Sequence, residues 1–283
     1  MINVDNLTVS YRKSKPVLKN VTFDIQKGEI VGFLGPSGAG KSTTQKVLTR
    51  LLTNYRGQVK VLGKPLNAWN NQFYNHIGVG FELPNHYLKL TAKENLTYFS
   101  KFYNQDTMPP EKLLNMVGLS KDGDKKVEAY SKGMKMRLNF VRAIMHNPEI
   151  LFFDEPTSGL DPANAHILKT IILQKKQEGK TIFITTHNMH DAEELCDRVA
   201  FIVDGEIKLI QSPKTLRLQF GNRLLKVETN GMQKSNYEFD LDGLSENSTF
   251  MDIIRKNNVV SMHTNEASMD EIFMKVTGKA LQQ

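Results

Sequence analysis

Hydrophobic and polar residues alternate along residues 2–9, the two-residue period of a half-buried strand. A second short strand is expected from Val17 to Ile25, closed by Lys27-Gly28. The pattern then changes. Ile30-Val31-Gly32-Phe33-Leu34, Ile150-Leu151-Phe152-Phe153 and the β-branched run Thr181 to Thr186 do not alternate, as expected of strands buried on both faces of a parallel sheet. Gln58–Leu62 and the glycine-broken Ile77–Phe81 read as further strands, and Val199–Val203 with Glu206–Ile210 as a hairpin around Asp204-Gly205. Between these runs the spacing is helical. Val47, Leu48, Leu51 and Leu52 share one face, as do Leu96, Phe99 and Phe102 within Thr91–Tyr103. Pro109-Pro110 opens a helix ended at Gly118, and Ser131 opens one that carries Leu138, Val141, Ile144 and Met145 inward. Asp161-Pro162 begins another that runs to about Glu178-Gly179, and Asp191 to Asp197 reads as a short one. Strands and helices alternating at these lengths predict an α/β core with a mainly parallel sheet.

After Ser212-Pro213 the pattern shifts. Residues 223–229, 236–241 and 259–264 have strand character, and 248–256 has helical character. A last helix starts at Ser268, with Glu271 three residues on to complete a capping box. This tail predicts a small α+β extension over residues 216–283, behind a main domain over 1–215.

Composition narrows the classes. The 283 residues suffice for one large core with a small appendage. With 40% hydrophobic and 24% charged residues the chain is ordinary for a soluble globular protein. No apolar run approaches the ~20 residues of a membrane helix. The first residues lack the basic and apolar regions of a secretory signal, so neither is expected. The single cysteine, Cys196, excludes an internal disulfide and fits a reducing cytosol. The net charge of +7 fits a well-solvated surface or contact with an anionic cytoplasmic leaflet. Arginine-rich arms, zinc-finger spacing and aromatic RNA-binding patterns are lacking, so no nucleic-acid partner is expected.

The chemistry is concentrated at the ends of the buried strands. Gly35-Pro36-Ser37-Gly38-Ala39-Gly40-Lys41-Ser42-Thr43 follows one such strand and opens a helix, the context in which G-x-x-x-x-G-K-[ST] becomes a phosphate loop. The glycines let successive N–H groups point at one anion, and the helix start adds partial positive charge. Lys41 can reach the β- and γ-phosphates of a nucleoside triphosphate, and the Ser42 hydroxyl can sit on Mg²⁺. Asp154-Glu155 ends the strand at Ile150, at the sheet edge where α/β proteins bind ligands. Asp154 can hold the Mg²⁺, and Glu155 can orient or deprotonate an attacking water. His187 ends the next strand and can donate to the γ-phosphate or the water. His187 and His190 lie three apart, but no two further ligands accompany them, which argues against zinc. Tyr130-Ser131-Lys132-Gly133-Met134 reads equally as a plain serine N-cap or as a second anion-binding helix start.

These elements, in this order, resemble the nucleotide-binding subunit of an ABC transporter. Gly35–Thr43 matches Walker A, Tyr130–Met134 stands in the place of the LSGGQ signature, and Ile150–Glu155 matches Walker B with its glutamate. Ser158-Gly159-Leu160-Asp161 matches the D-loop and His187 the switch histidine. The resemblance covers residues 1–215 and implies a P-loop NTPase core with an antiparallel β subdomain and a helical subdomain at about 90–147. It implies ATP and Mg²⁺ as ligands, Tyr11 stacked on adenine, and Asp161, Ser131 and Gly133 at the nucleotide. It further implies a head-to-tail dimer in which Ser131 completes the partner chain's site. An integral membrane permease would be driven through the segment Leu83 to Leu96, with the chain peripheral on the inner face of the cell membrane. The end of the tail, Ser268-Met269-Asp270-Glu271-Ile272-Phe273, is similar to the extension of ATPases that serve ABC-2 type exporters, which favours export.

Two positions depart from the family pattern. Glu82 stands where glutamine usually touches Mg²⁺; a carboxylate can still ligate the cation, with added negative charge near the γ-phosphate. In the signature, Lys132 replaces the first glycine and Met134 the glutamine, while Ser131 and Gly133 are kept. The other classes weighed are a soluble ABC-type ATPase acting on ribosomes or DNA, and a P-loop GTPase or kinase. The first usually carries two cassettes or a long coiled coil, and the second an N-K-x-D motif or no signature segment.

Overall fold

The computed structural model describes residues 1–11, 15–221, 224–230, 234–256, 259–265 and 267–279. One compact unit covers Met1–Ile210 and a second begins at Gln211. The first opens with β1 (Ile2–Val9), β2 (Leu18–Ile25) and β3 (Ile30–Leu34), followed by the phosphate-loop helix α1 (Lys41–Leu48). Strands β4 (Arg56–Val61) and β5 (Lys64–Pro65) complete an antiparallel sheet of order β2-β1-β4-β5. Strand β1 buries Ile2, Val4, Leu7 and Val9, an alternation broken by a register shift between Val4 and Leu7.

After a short α2 (Phe73–His76) and β6 (Ile77–Gly80), the chain forms the helical subdomain of α3 (Ala92–Ser100), α4 (Pro110–Met116) and α5 (Lys132–Ile144). It returns through β7 (Ile150–Asp154), α6 (Pro162–Gln177), β8 (Thr181–Thr186), α7 (Met189–Leu195), β9 (Arg198–Val203) and β10 (Glu206–Gln211). The second sheet has the order β10-β9-β3-β8-β7-β6, parallel from β9 to β6. Every residue of β3 and β8 is buried, which accounts for their unbroken apolar and β-branched sequence. Phe23 of β2 meets Phe33 of β3 at 4.8 Å, and Phe33 meets Phe183 of β8 at 4.9 Å. This aromatic cluster belongs to one apolar core shared by the two sheets. Register places Leu34 beside Thr186 and Asp154 beside Thr185, so β3, β7 and β8 end at one sheet edge.

Three local expectations change. Leu51 and Leu52 lie beyond α1, because Arg50 turns left-handed at φ 59 and the Leu52 N–H bonds back to Lys46; Leu51 is exposed. Helix α7 starts at Met189 rather than Asp191, because Asn188 caps it by accepting the Asp191 N–H. Ser212-Pro213, a shift in composition, starts a helix, α8 (Pro213–Phe220), with serine as N-cap and proline in the first turn. The expected join at 215 therefore falls inside a helix.

In the second unit, α8 packs on α10 (Met269–Thr277), whose capping box is formed by Ser268 and Glu271. Strands β11 (Leu224–Asn230), β12 (Lys234–Asp240) and β13 (Val259–Asn265) form an antiparallel sheet of order β12-β11-β13. Helix α9 (Ser248–Lys256) supplies Phe250 and Ile253 to its core with Leu225, Val227 and Phe239. Position 223 of the first expected tail strand and the end of the expected extension, 280–283, lie outside the described residues. Among the described residues no helix is long and apolar enough to cross a membrane.

Candidate functional site

The common edge of β3, β7 and β8 opens into a cleft of about 370 Å³. Ser37, Gly38, Gly40, Lys41, Ser42, Thr43, Glu82, Asp154, Glu155 and His187 all line it. Gly40 caps α1 at φ 112, a backbone open mainly to glycine, and contributes no side chain. The first N–H groups of α1 are thus left without a side-chain cap, directed at the space an anion can fill. Lys41 Nζ donates to the carbonyls of Gly35 at 2.5 Å and Pro36 at 3.1 Å, which folds the loop around its own ammonium. Burial pulls the Lys41 pKa below its ordinary value, opposed by the carboxylates of Glu155, Asp154 and Glu82. Ala39 is buried beneath the loop, its carbonyl taken by the Gly205 N–H.

The two carboxylates at the end of β7 have different partners. Asp154 Oδ1 lies 3.5 Å from the Ser42 hydroxyl and accepts from Thr185 Oγ1. These hard oxygen donors fit a divalent cation. Among the described residues no group of three His, Cys, Asp or Glu could hold a metal. Glu82 is exposed and lines the same cleft. Glu155 is buried and sits in the left-handed region at φ 49. Its carboxylate accepts from Thr186 Oγ1 at 3.0 Å, from the His187 N–H at 3.0 Å and from His187 Nδ1 at 2.8 Å. A carboxylate accepts from these donors, so Nδ1 carries a proton, and Nε2 is the ring nitrogen left for a further partner.

The remaining expected residues lie apart from this cleft. The Tyr11 ring is half exposed, its hydroxyl 3.3 Å from Thr43 Oγ1, and it lines a neighbouring cavity of about 780 Å³ with Gly38 and Lys15. Ser131 caps α5 by accepting the Met134 N–H at 3.2 Å. Asp161 caps α6, accepting the Asn164 N–H at 3.0 Å; hydrogen bonds from the Asn164 side chain and backbone hold its pKa down. Gly133 faces Leu160, and Lys132 lies along Gly159, so the start of α5 and the loop before α6 touch within one chain.

Sequence pattern alone does not single out Thr185 and Thr186, because threonine in a buried strand reads as a β-former. Their signal was available: a buried hydroxyl needs a partner, and these two precede a histidine at a ligand-binding sheet edge. A second cavity, of about 700 Å³, borders the cleft. Tyr74, Leu83, Phe99, Tyr103 and Arg142 line it, along with Ser42, Glu82 and Asp154.

Residues 18–158 match the family model of the ABC transporter, and residues 223–266 match that of the fluoroquinolone efflux ABC transporter C-terminal domain. A fluoroquinolones export ATP-binding protein of Mycobacterium tuberculosis is 48% identical over 284 residues, covering 99% of this chain and 94% of the relative. The linearmycin resistance ATP-binding protein of Bacillus subtilis is 30% identical, covering 99% of each chain. A solved dimer of an ATP-binding cassette in a post-hydrolysis state, bound to ADP and Pi, superposes with a TM-score of 0.69 at 27% identity. It covers 75% of this chain and 98% of that one. Matched along nearly its whole length, the chain belongs to the ATP-binding proteins of the ABC transporter family.

Proposed function

We propose that this chain is the ATPase subunit of an export system, in which two copies close head to tail on two ATP molecules and drive a separate membrane permease. The observation that carries this reading is a shared wall. Ser42, Glu82 and Asp154 line both the P-loop cleft and the aromatic cavity beside it. A cytoplasmic helix of the permease seated among Tyr74, Leu83, Phe99 and Tyr103 would press on the residues that face the phosphates. Leu83 is 77% exposed, an apolar side chain that such a helix would cover.

In this reading Lys41 and the N–H groups of α1 bind the phosphates, and Tyr11 stacks on the base. Glu155 orients or deprotonates the attacking water, with His187 holding the carboxylate and donating towards the γ-phosphate. Ser42, Asp154 and Glu82 are the residues to hold Mg²⁺, which when bound supplies charge to the phosphate oxygens. Ser131 and Gly133 of one copy, with Asp161 nearby, complete the site of the other. The dimeric cassette supports that assembly. The relative named as a fluoroquinolones export ATP-binding protein, together with the matching C-terminal region, supports a drug-sized organic cargo and the outward direction. The chain then works on the inner face of the cell membrane, held there by the permease.

The test is affinity purification of a tagged chain from its own cells. The expected result is Mg²⁺-dependent ATP hydrolysis and co-purification of one polytopic membrane protein. Recovery with ribosomes or DNA and no membrane protein would overturn the coupling to transport. Failure to hydrolyse ATP would overturn the enzymatic reading.

A further inference from the structure

Glu155 holds a left-handed backbone that a glutamate rarely adopts, and the turn it begins must be kept in place by its surroundings. Part of that hold is its own bonds to Thr186 and His187. A second tie lies two residues further on. Thr157 Oγ1 donates to Asp191 Oδ2 at 2.5 Å, joining the turn after Glu155 to the first turn of α7. Asp191 is buried, and its other oxygen takes Lys169 Nζ of α6 at 3.2 Å, so its charge is neutralised from one side and its geometry used on the other. Burial lowers the Lys169 pKa, but Glu194 and Asp191 more than offset this and hold it above its ordinary value.

The α7 side of the tie is equally fixed. Thr186 Oγ1, which donates to Glu155, accepts the Asn188 N–H at 2.9 Å. Asn188 Oδ1 in turn accepts the Asp191 N–H at 3.1 Å. Residues 155–157 and 186–191 are therefore cross-linked twice, at Glu155 with Thr186 and His187, and at Thr157 with Asp191. We propose that Asp191 is a positioning residue for hydrolysis, holding the Thr157 hydroxyl so that the Glu155 turn and the His187 loop keep one mutual geometry. Asp191 lies outside the cleft, and its carboxylate reaches the Glu155 turn through Thr157. The inference rests on the reading of Glu155 and His187 given above.

The ion pair with Lys169 alone would make Asp191 a packing residue of α6 and α7, and Thr157 separates the two roles. Thr157→Val keeps the side-chain volume and removes the hydroxyl. It is expected to lower kcat roughly ten- to a hundredfold, the scale of a small misplacement of reacting groups. KM for ATP and the thermal midpoint should stay near those of the parent. Thr157→Ser restores the hydroxyl and should restore kcat to within about twofold. Asp191→Asn should lower kcat in the same way, and the double variant Thr157→Val/Asp191→Asn should be no slower than the slower single one. A Thr157→Val enzyme within about twofold of the parent kcat, or losses that multiply in the double variant, would overturn the proposal. Should Asp191→Asn fail to fold, the valine and serine variants decide alone. Glu155→Gln assayed alongside keeps the two readings apart. Near-normal turnover there removes the reading of Glu155 itself, and this inference with it; lost turnover beside an active Thr157→Val enzyme removes only the inference.

Discussion

His187 binds one oxygen of Glu155 twice, through its backbone N–H at 3.0 Å and through Nδ1 at 2.8 Å. The carboxylate is thereby held in the wall of the cleft that Lys41 and Ser42 also line. Glu155→Gln keeps one acceptor oxygen and the proposed phosphate contacts while removing the proposed base. ATP binding should persist and hydrolysis fall by about 10²–10⁴-fold, the worth of a positioned general base. Steady-state ATPase assays and nucleotide titration check this, and a rate within about threefold of the parent rejects the role.

Gly205 supports the phosphate loop from below. Its N–H donates to Ala39 O at 3.1 Å, its carbonyl accepts from Lys19, and its φ is 80. A Cβ there would lie 2.1 Å from the Val17 carbonyl oxygen, a backbone atom that cannot step aside. Gly205→Ala should cost at least about 2 kcal/mol of stability, from the left-handed conformation and the clash together. Chemical unfolding curves measure the loss, and an unchanged midpoint would contradict this packing.

The Asp204-Gly205 hairpin was legible because both turn residues suit left-handed backbone and the flanking runs are apolar. The phosphate loop, the Asp154-Glu155 pair and His187 were legible for a similar reason. Each follows a buried strand whose unbroken hydrophobic run marks it, and parallel strands bring such ends to one edge. What local pattern could not carry depends on distant partners. Leu51 continues a helical spacing and still leaves the helix, because Arg50 turns the backbone. The bond between Thr157 and Asp191 spans 34 positions, and neither residue has a local signal of its own.

Two buried imidazoles make stability depend on pH. Burial, then the charge of Arg142, lowers the His86 pKa from 6.5 to about 4, although its Nε2 donates to Lys135 O at 3.0 Å. Burial likewise lowers His146 from 6.5 to about 4, against the bond from its Nε2 to Ile77 O. Both rings stay neutral in the fold and charge more readily once unfolded, so the unfolded chain takes up protons first as pH falls. The contribution to stability is full above the unfolded value of 6.5 and declines from there towards pH 4. The slope approaches about 1.4 kcal/mol per pH unit for each ring. His86→Asn should flatten the decline measured by urea unfolding between pH 7 and 5. A variant with the parent's full slope would show that His86 does not contribute.

Ser131 does not line the cleft that holds Lys41; it caps α5 in the helical subdomain. The proposed head-to-tail dimer gives it a role in the partner's site, and this arrangement has a distinctive consequence. Lys41→Ala removes the ammonium proposed to bind phosphate, and Ser131→Arg replaces the capping hydroxyl with a bulky cation. Each variant should be inactive alone. When the two are mixed and exchange subunits, a head-to-tail dimer has one site carrying both lesions and one carrying neither. If Ser131 served its own chain, every site in the mixture would carry one lesion and mixing would rescue nothing. ATPase activity should therefore recover in part on mixing, in proportion to the mixed dimers formed. Mass measurement establishes that mixed dimers are present, and no recovery in their presence rejects a trans site that fires alone. Trapped nucleotide then distinguishes obligatory joint firing: one unhydrolysed ATP held per mixed dimer keeps Ser131 in trans, and none returns it to its own chain.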